Sequence, residues 1–287
     1  MSFIDSVNKK NNQINLYKLN FKLIENEIEQ SNLFSDTVKI CFLDLETTGL
    51  KKDQDEIIEI ALRLVKIDKS NGKIISIESS FESFNDSKKQ LDPVITTVTG
   101  ITNEMIKNHK IDWSKVDAII KNTDIIVAHN AQFDRGFLDR YLPVSKEKLW
   151  ACSHRDIDWL NRGFVKQSLE LLSIWHGFYY ESHRAMNDVD ALIHLLTHNS
   201  YNENHPILEL IINSKKMHYK VTALNSPFET KDLLKSNYYK WDPKIRSWWK
   251  MIFEDDLDKE RKWLTESIYN GYCLATIEQI AITDKYK

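Results

Sequence analysis

Asp44-Leu45-Glu46-Thr47-Thr48-Gly49 closes an apolar run, Val38-Lys39-Ile40-Cys41-Phe42-Leu43, that reads as a buried strand. Side chains alternate faces along a strand, so Asp44 and Glu46 share one face and Leu45 takes the other. Two carboxylates on one face at the end of a core strand repel each other and are costly to bury. A divalent cation is the usual remedy. Thr47, Thr48 and Gly49 then supply a polar turn where backbone can approach a ligand closely. Taken alone, the stretch reads as a solvated acidic turn. The rest of the chain decides whether it is more.

At 287 residues the chain is long enough for one large domain or two smaller ones. An apolar fraction of 42% and a charged fraction of 28% are those of a soluble globular protein. The net charge of −3 gives no overall basic field, so nucleic-acid contact must come from a local patch or from metal ions. Cys41, Cys152 and Cys273 are far apart and odd in number, which excludes paired-cysteine motifs and suggests a reducing compartment. The N-terminus has no apolar signal core, and no segment approaches the ~18 apolar residues needed to span a membrane. A soluble cytoplasmic protein is expected, with secretion by a signal-free route left open.

Residues 1–36 read as a helical leader, with Ile14, Tyr17, Phe21, Ile24 and Ile28 at helical spacing. Strands are predicted over Val38–Leu43, Ile57–Ile67 and Lys73–Phe84, the last two joined by Asn71-Gly72, a hairpin signal. Helices are predicted over Asp112–Lys121 and Ala131–Tyr141, flanking an apolar strand Asp124–Ala128 that His129 and Asn130 follow. Asp134 shares a helical face with Phe137, Leu138 and Tyr141, an acid among core apolars. A further helix covers Gln167–Trp175, with Gly177 suited to its C-cap. Asp188, Ala191, Leu192 and Leu195 share a face of the next helix. His183 precedes Asp188 by five residues, about 140° away on an ideal helix, so the two converge only if His183 lies on the entering loop.

Three motifs in order resemble those of the DEDDh (DnaQ-like) 3′–5′ exonucleases, the group of the proofreading subunit of bacterial DNA polymerase III. They are Asp44 to Gly49 (D-x-E-T-T-G), His129 to Asp134 (H-N-A-x-F-D) and His183 to Asp188 (H-x-A-x-x-D). The resemblance covers about residues 37–198. It implies a ribonuclease H-like α/β fold, a mixed central sheet flanked by helices, for an exonuclease domain at 37–200. It also implies two Mg²⁺ or Mn²⁺ ions, with Asp44 bridging both, Glu46 and Asp188 on the water-activating ion and Asp134 supporting the second. His183 is implied as the general base, and Thr47, Thr48, His129 and Asn130 as substrate contacts. The chemistry is coherent. Phosphodiester hydrolysis needs a nucleophile at neutral pH and charge neutralisation at phosphorus, which two ions about 3.5–4 Å apart supply. Hard cations prefer the oxygen ligands that four carboxylates offer. Thr99 stands where many proofreading relatives carry histidine, which weakens the transfer of a substrate contact there.

After about Ser200 the composition changes, and 201–287 read as a small α+β module. Residues 211–252 hold eight lysines and Arg246 against Glu229, Asp232 and Asp242, a local excess of six positive charges. Strand His218–Leu224, helix Pro227–Asn237 (capped by Ser226 to Glu229), hairpin Tyr239–Phe253 and helix Leu257–Tyr269 are predicted. The module is similar to C-terminal extensions of some bacterial exonucleases of this family, and more faintly to the aromatic-basic repeats of annealing helicases. Its aromatics are either the core of a small domain or a nucleic-acid platform of Trp241, Trp248, Trp249 and Lys250. Adjacent on a strand, Trp248 and Trp249 must face opposite ways.

The function expected is a metal-dependent exonuclease releasing nucleoside 5′-monophosphates from single-stranded or 3′-ended nucleic acid, with DNA favoured. An RNA-trimming exoribonuclease is one alternative. Another is a repair or proofreading accessory that binds a polymerase or sliding clamp, since Gln30-Ser31-Asn32-Leu33-Phe34 resembles a bacterial clamp-binding motif. A catalytically dead descendant is disfavoured by the presence of all five catalytic side chains.

Overall fold

The computed structural model of the chain describes residues 9–10, 13–28 and 36–287. It divides into two compact units, one running to Ser214 and regaining Tyr286–Lys287, the other Lys215–Lys285.

The first unit is built on five strands: β1 (Thr37–Thr47), β2 (Ile57–Asp68), β3 (Ile74–Phe84), β4 (Ile125–Ala128) and β5 (Leu149–Cys152). Their order is β3-β2-β1-β4-β5. The first three are joined in sequence by short turns and pair antiparallel, with Gly72 in the left-handed region (φ 77°) at the β2–β3 turn. β4 and β5 return through helices and lie parallel to β1. This is the mixed sheet implied by the resemblance.

Strand alternation gives the sheet two faces. Cys41, Leu43 and Leu45 point to one, against α1 (Trp113–Lys121) and α2 (Ala131–Tyr141), which bury Val116, Ile120, Phe137 and Leu138 there. Val38, Ile40 and Phe42 point to the other, against α3 (Leu169–Trp175), α4 (Ala185–Leu196) and α5 (Pro206–Ser214). Asp44 and Glu46 continue this second face past Phe42. β2 adds Arg63, opposite Phe42, and Glu59, opposite Glu46. Arg63 reaches Asp190 of α4 with Nε at 2.5 Å and Nη2 at 3.0 Å, fixing that helix over the sheet.

In the first unit two boundaries differ most from the sequence reading. The predicted helix Ile14–Ile28 is only Phe21–Asn26, because Tyr17–Lys18 instead pairs as a short strand with Phe178–Tyr179. That edge offers free backbone partners, and Leu19 N–H also donates to the Tyr179 carbonyl at 2.9 Å. The helix Pro206–Ser214, which a boundary near Ser200 assigns to the C-terminal module, buries Ile207 and Leu210 in the first unit's core. The clamp-like segment Gln30–Phe34 lies outside the described residues.

The second unit is a four-stranded antiparallel sheet of β6 (His218–Ala223), β7 (Lys240–Asp242), β8 (Ser247–Phe253) and β9 (Thr276–Ile280), in the order β7-β8-β6-β9. One face packs on α6 (Lys231–Ser236) and α7 (Leu257–Trp263) through Val221, Ala223, Ile252 and Leu234. β9 escapes the sequence reading: its largely exposed edge position shows little apolar alternation. The helix predicted from Pro227 begins at Lys231, after a 3₁₀ turn Phe228–Thr230, so Ser226–Glu229 does not cap it. Among the described residues no helix is long and apolar enough to cross a membrane.

The Arg63–Asp190 pair is nearly dry, with side-chain exposures of 11% and 12%. Removing one partner of such a pair strands the other charge, at a cost of about 3–5 kcal/mol. Arg63→Ala is therefore expected to lower the free energy of unfolding by that amount in urea titrations, whereas a shift below about 1 kcal/mol, the range of an exposed pair, would contradict the role of this pair.

Candidate active site

Asp44, Glu46 and Asp188 each offer a carboxylate oxygen, and these oxygens lie within 4.8 Å of one another. Asp44 and Glu46 come from the end of β1. Beyond them the β1–β2 register slips between the Glu46–Glu59 and Thr47–Ile57 pairs, leaving Ile58 extra. Such a bulge bends the strand and re-aims the side chains beyond it. Thr47 to Gly49 become a turn in which the Thr47 hydroxyl donates to the Gly49 carbonyl at 2.6 Å. Asp55 braces the turn by accepting from Lys51 N–H at 2.7 Å and lying under Gly49, where a Cβ would come within 2.6 Å of its carboxylate. Any larger residue there would have to displace the Asp55 carboxylate.

Asp188 stands in the first turn of α4. Its carboxylate folds back over the helix N-terminus, accepting from Arg184 N–H at 3.2 Å and from the Tyr180 hydroxyl at 2.9 Å. The positive end of the helix favours the charge held there. His183 is exposed on the entering loop, in the left-handed region (φ 62°), and close enough to Asp188 to draw its pKa down. This is the loop position required for the two to converge. Asp134, in the first turn of α2, is buried and accepts from Leu45 N–H, which ties it to the end of β1.

The electrostatics are those of crowded acids. Burial, then Asp134, Asp188 and Glu46, holds Asp44 well above the usual carboxylate range. Burial, then Asp188, Glu59 and Asp134, pushes Glu46 up to about 8, with Arg184 opposing. Asp134 and Asp188 are raised as well, chiefly by burial, with the Tyr180 hydroxyl and His183 restraining Asp188. The donor set is all carboxylate oxygen, half-buried and short of positive charge. It fits one or more hard divalent cations.

Two positioning residues escaped sequence reasoning. Glu59 is buried beside Glu46, and its carboxylate accepts from Arg184 Nη2 at 2.9 Å and from Ala185 N–H at 3.0 Å. It thereby anchors the His183 loop to β2. An acid inside Ile57-Ile58-Glu59-Ile60 was the available signal. Tyr180 had none, since a tyrosine in a loop predicts nothing alone.

The other candidate residues mostly serve the fold. Thr48 is held in the turn, with its N–H donating to the Glu56 carbonyl and its hydroxyl accepting from Glu56 N–H. Both ring nitrogens of His129 have protein partners, Ser153 Oγ and the Gln167 carbonyl, each at 2.8 Å. Burial lowers its pKa to about 4, so the ring is neutral and ties the end of β4 to the segment before α3. Asn130 is exposed at the N-cap of α2 and spends its side chain on no cap. Thr99 is buried, and its hydroxyl serves its own turn through the Ile95 carbonyl and Ile101 N–H. In the second unit Trp241 and Trp248 are cross-strand partners, whereas Trp249 points to the opposite face under Lys220. Lys250 pairs with the buried Glu260 at 2.6 Å.

The chain belongs to the RNase_T exonuclease family, whose profile spans residues 41–196, more than half its length. The five-stranded mixed sheet is the ribonuclease H-like sheet of that family, and phosphodiester hydrolysis is the family's chemistry. The PolC-type DNA polymerase III of Bacillus subtilis (strain 168) is 30% identical over 180 residues, 52% of this chain and 12% of the polymerase. That of Listeria monocytogenes serovar 1/2a is 32% identical over 133 residues, 42% of this chain and 9% of the polymerase. The chain thus corresponds to a small part of these relatives. Among solved structures, exonuclease X in complex with 5′-overhanging duplex DNA aligns with a TM-score of 0.43 at 24% identity, covering 61% of this chain and 99% of that one. A full-length 3′-exonuclease aligns with a TM-score of 0.45 at 18% identity, covering 60% and 64%.

A carboxylate whose pKa is raised on folding binds its proton more tightly in the folded state. Its cost to the metal-free fold therefore grows as pH rises, from about 4.3, the ordinary glutamate value, through about 8 for Glu46. In EDTA, Glu46→Gln is expected to gain thermal stability over wild type as pH climbs through that window. Mn²⁺ is expected to raise the wild-type melting temperature more than the variant's. A difference in melting temperature that stays flat with pH would contradict this electrostatic account.

Proposed function

We propose that the chain is a divalent-metal-dependent 3′–5′ exonuclease that releases nucleoside 5′-monophosphates, with DNA the favoured substrate. The observation that carries this reading is the convergence of Asp44 and Glu46 from β1, Asp134 from α2 and Asp188 from α4 beside the exposed His183. The matched relatives are DNA polymerases, which supports DNA over RNA.

The four carboxylates would hold Mg²⁺ or Mn²⁺, which when bound supplies charge neutralisation at the scissile phosphate and a more acidic water. His183 takes the water's proton. Its exposed loop position leaves the ring free to reach solvent. Tyr180 and Arg184 N–H hold Asp188 in place, while Glu59 holds the loop. The turn Thr47–Gly49, which follows Asp44 and Glu46 in the chain, and Asn130, at the N-cap of the helix that carries Asp134, are assigned to the 3′-terminal nucleotide. The first unit is assigned catalysis and the second a grip on substrate.

Asp44→Ala is expected to abolish release of a 3′-terminal label from a single strand while the protein keeps its circular dichroism. His183→Ala should lower kcat by about 10²–10⁴-fold, the usual worth of a general base. Asp44→Ala digesting the strand at the wild-type rate would refute the assignment.

A further inference from the structure

The second unit carries a cleft of about 310 Å³ that the catalytic reading does not use. Trp241, Trp248, Phe228, Lys231, Arg246 and Asn225 line it. Its size lies at the lower end of ordinary ligand pockets, about 300–1,000 Å³.

The aromatic residues fall into two groups. Trp248 is half-buried and packs on the unit's core with Val221, Ala223 and Ile252, so it forms a rigid floor. Trp241 and Phe228 lie outside that core, 49% and 74% exposed. Trp241 stands across the hairpin from Trp248, with ring centroids 5.6 Å apart at 62°. Single exposed apolar residues need no explanation. Two large rings converging on one cleft over a fixed third do.

The charges narrow the ligand. Two lysines of the unit are already paired, Lys250 with Glu260 and Lys216 with Asp255. Lys231 and Arg246 are in no ion pair among the described residues. Lys231 Nζ sits 4.1 Å from the centroid of the Phe228 ring, where a cation and an aromatic face form one recognition surface. No carboxylate lines the cleft. It also lies within the stretch 211–252, where positive charge is in excess. A partner that presents flat π-faces and repeated negative charge matches both features. A proline-rich peptide would use the rings but leave two cations without a counter-charge.

We propose that this cleft binds a short single-stranded segment of nucleic acid, with bases stacking on Trp241 and Phe228 and phosphates meeting Arg246 and Lys231. The inference rests on the reading that the chain acts on nucleic acid, and it adds a second contact with the strand besides the acidic cluster. Stacking on an aromatic side chain tolerates any base, so the grip is sequence-independent and weakens with salt.

The test uses the full chain in EDTA, which separates binding from hydrolysis. Fluorescence anisotropy is read on a labelled oligothymidylate and on an abasic strand of equal length. Trp241→Ala and, separately, Arg246→Gln are expected to raise Kd for oligothymidylate about tenfold, within the range for losing one stacked base or a phosphate contact. Wild type should prefer oligothymidylate over the abasic strand, and Trp241→Ala should lose most of that preference. Both variants should hydrolyse the p-nitrophenyl ester of thymidine 5′-monophosphate with Mn²⁺ at the wild-type rate, whereas Asp44→Ala should lose that reaction and keep its affinity for the strand. Arg246 is exposed, so its variant keeps the test alive if Trp241→Ala folds poorly. Unchanged Kd in both variants, as a cleft serving a peptide would give, overturns the proposal without touching the catalytic assignment.

Discussion

Mutual repulsion among carboxylates is the constraint on which the first unit depends. Asp44 and Glu46 come on one strand, Asp134 and Asp188 on two helices, and Asp134 and Asp188 both raise the cost of ionising Asp44 and Glu46. Glu59 adds a fifth acid, directly across the strand pair from Glu46. Like charges facing each other across a sheet are destabilising. The fold answers with fixed donors: Arg184 and Ala185 N–H on Glu59, Tyr180 and Arg184 N–H on Asp188, Leu45 N–H on Asp134. Among the described residues Asp44 and Glu46 have no comparable set of donors, so a bound cation is what their arrangement calls for.

Holding this arrangement requires rigid neighbours. α4 carries Asp188 toward the sheet, and the Arg63–Asp190 pair, two residues further along the same helix, fixes where it can sit. The bulge at Glu46/Thr47 ends the alternation that aligned Asp44 and Glu46 and opens the turn in front of them. The strand that stores the acids and the turn assigned to the substrate are thus one continuous segment, Asp44 to Gly49.

Much of this was legible in the sequence because periodicity and motif spacing are local. Period two placed Asp44 and Glu46 on one face, and helical spacing placed Asp134 and Asp188 among core apolars. The need for His183 to lie on a loop came from its angle to Asp188. What could not be read were partners set by tertiary contact: Glu59 with Arg184, Tyr180 with Asp188, and Lys250 with Glu260 rather than with an exposed platform. Helix Pro206–Ser214 escaped for the same reason, since its amphipathic face does not say which core it will join. In the second unit the sequence offered aromatics as core or as surface. The structure divides them: Trp248 reaches the core, Trp241 lies open, and Trp249 faces away.

Hydrolysis of a strand from its 3′ end by this acidic cluster has a direct readout. It is tested most directly by digesting one single-stranded oligonucleotide in Mg²⁺, labelled at its 5′ end in one reaction and its 3′ end in another. The 3′ label should be released at once as a mononucleotide 5′-phosphate, with the 5′-labelled strand shortening one nucleotide at a time. Early release of the 5′ label, or internal fragments before the 3′ label is lost, would contradict it.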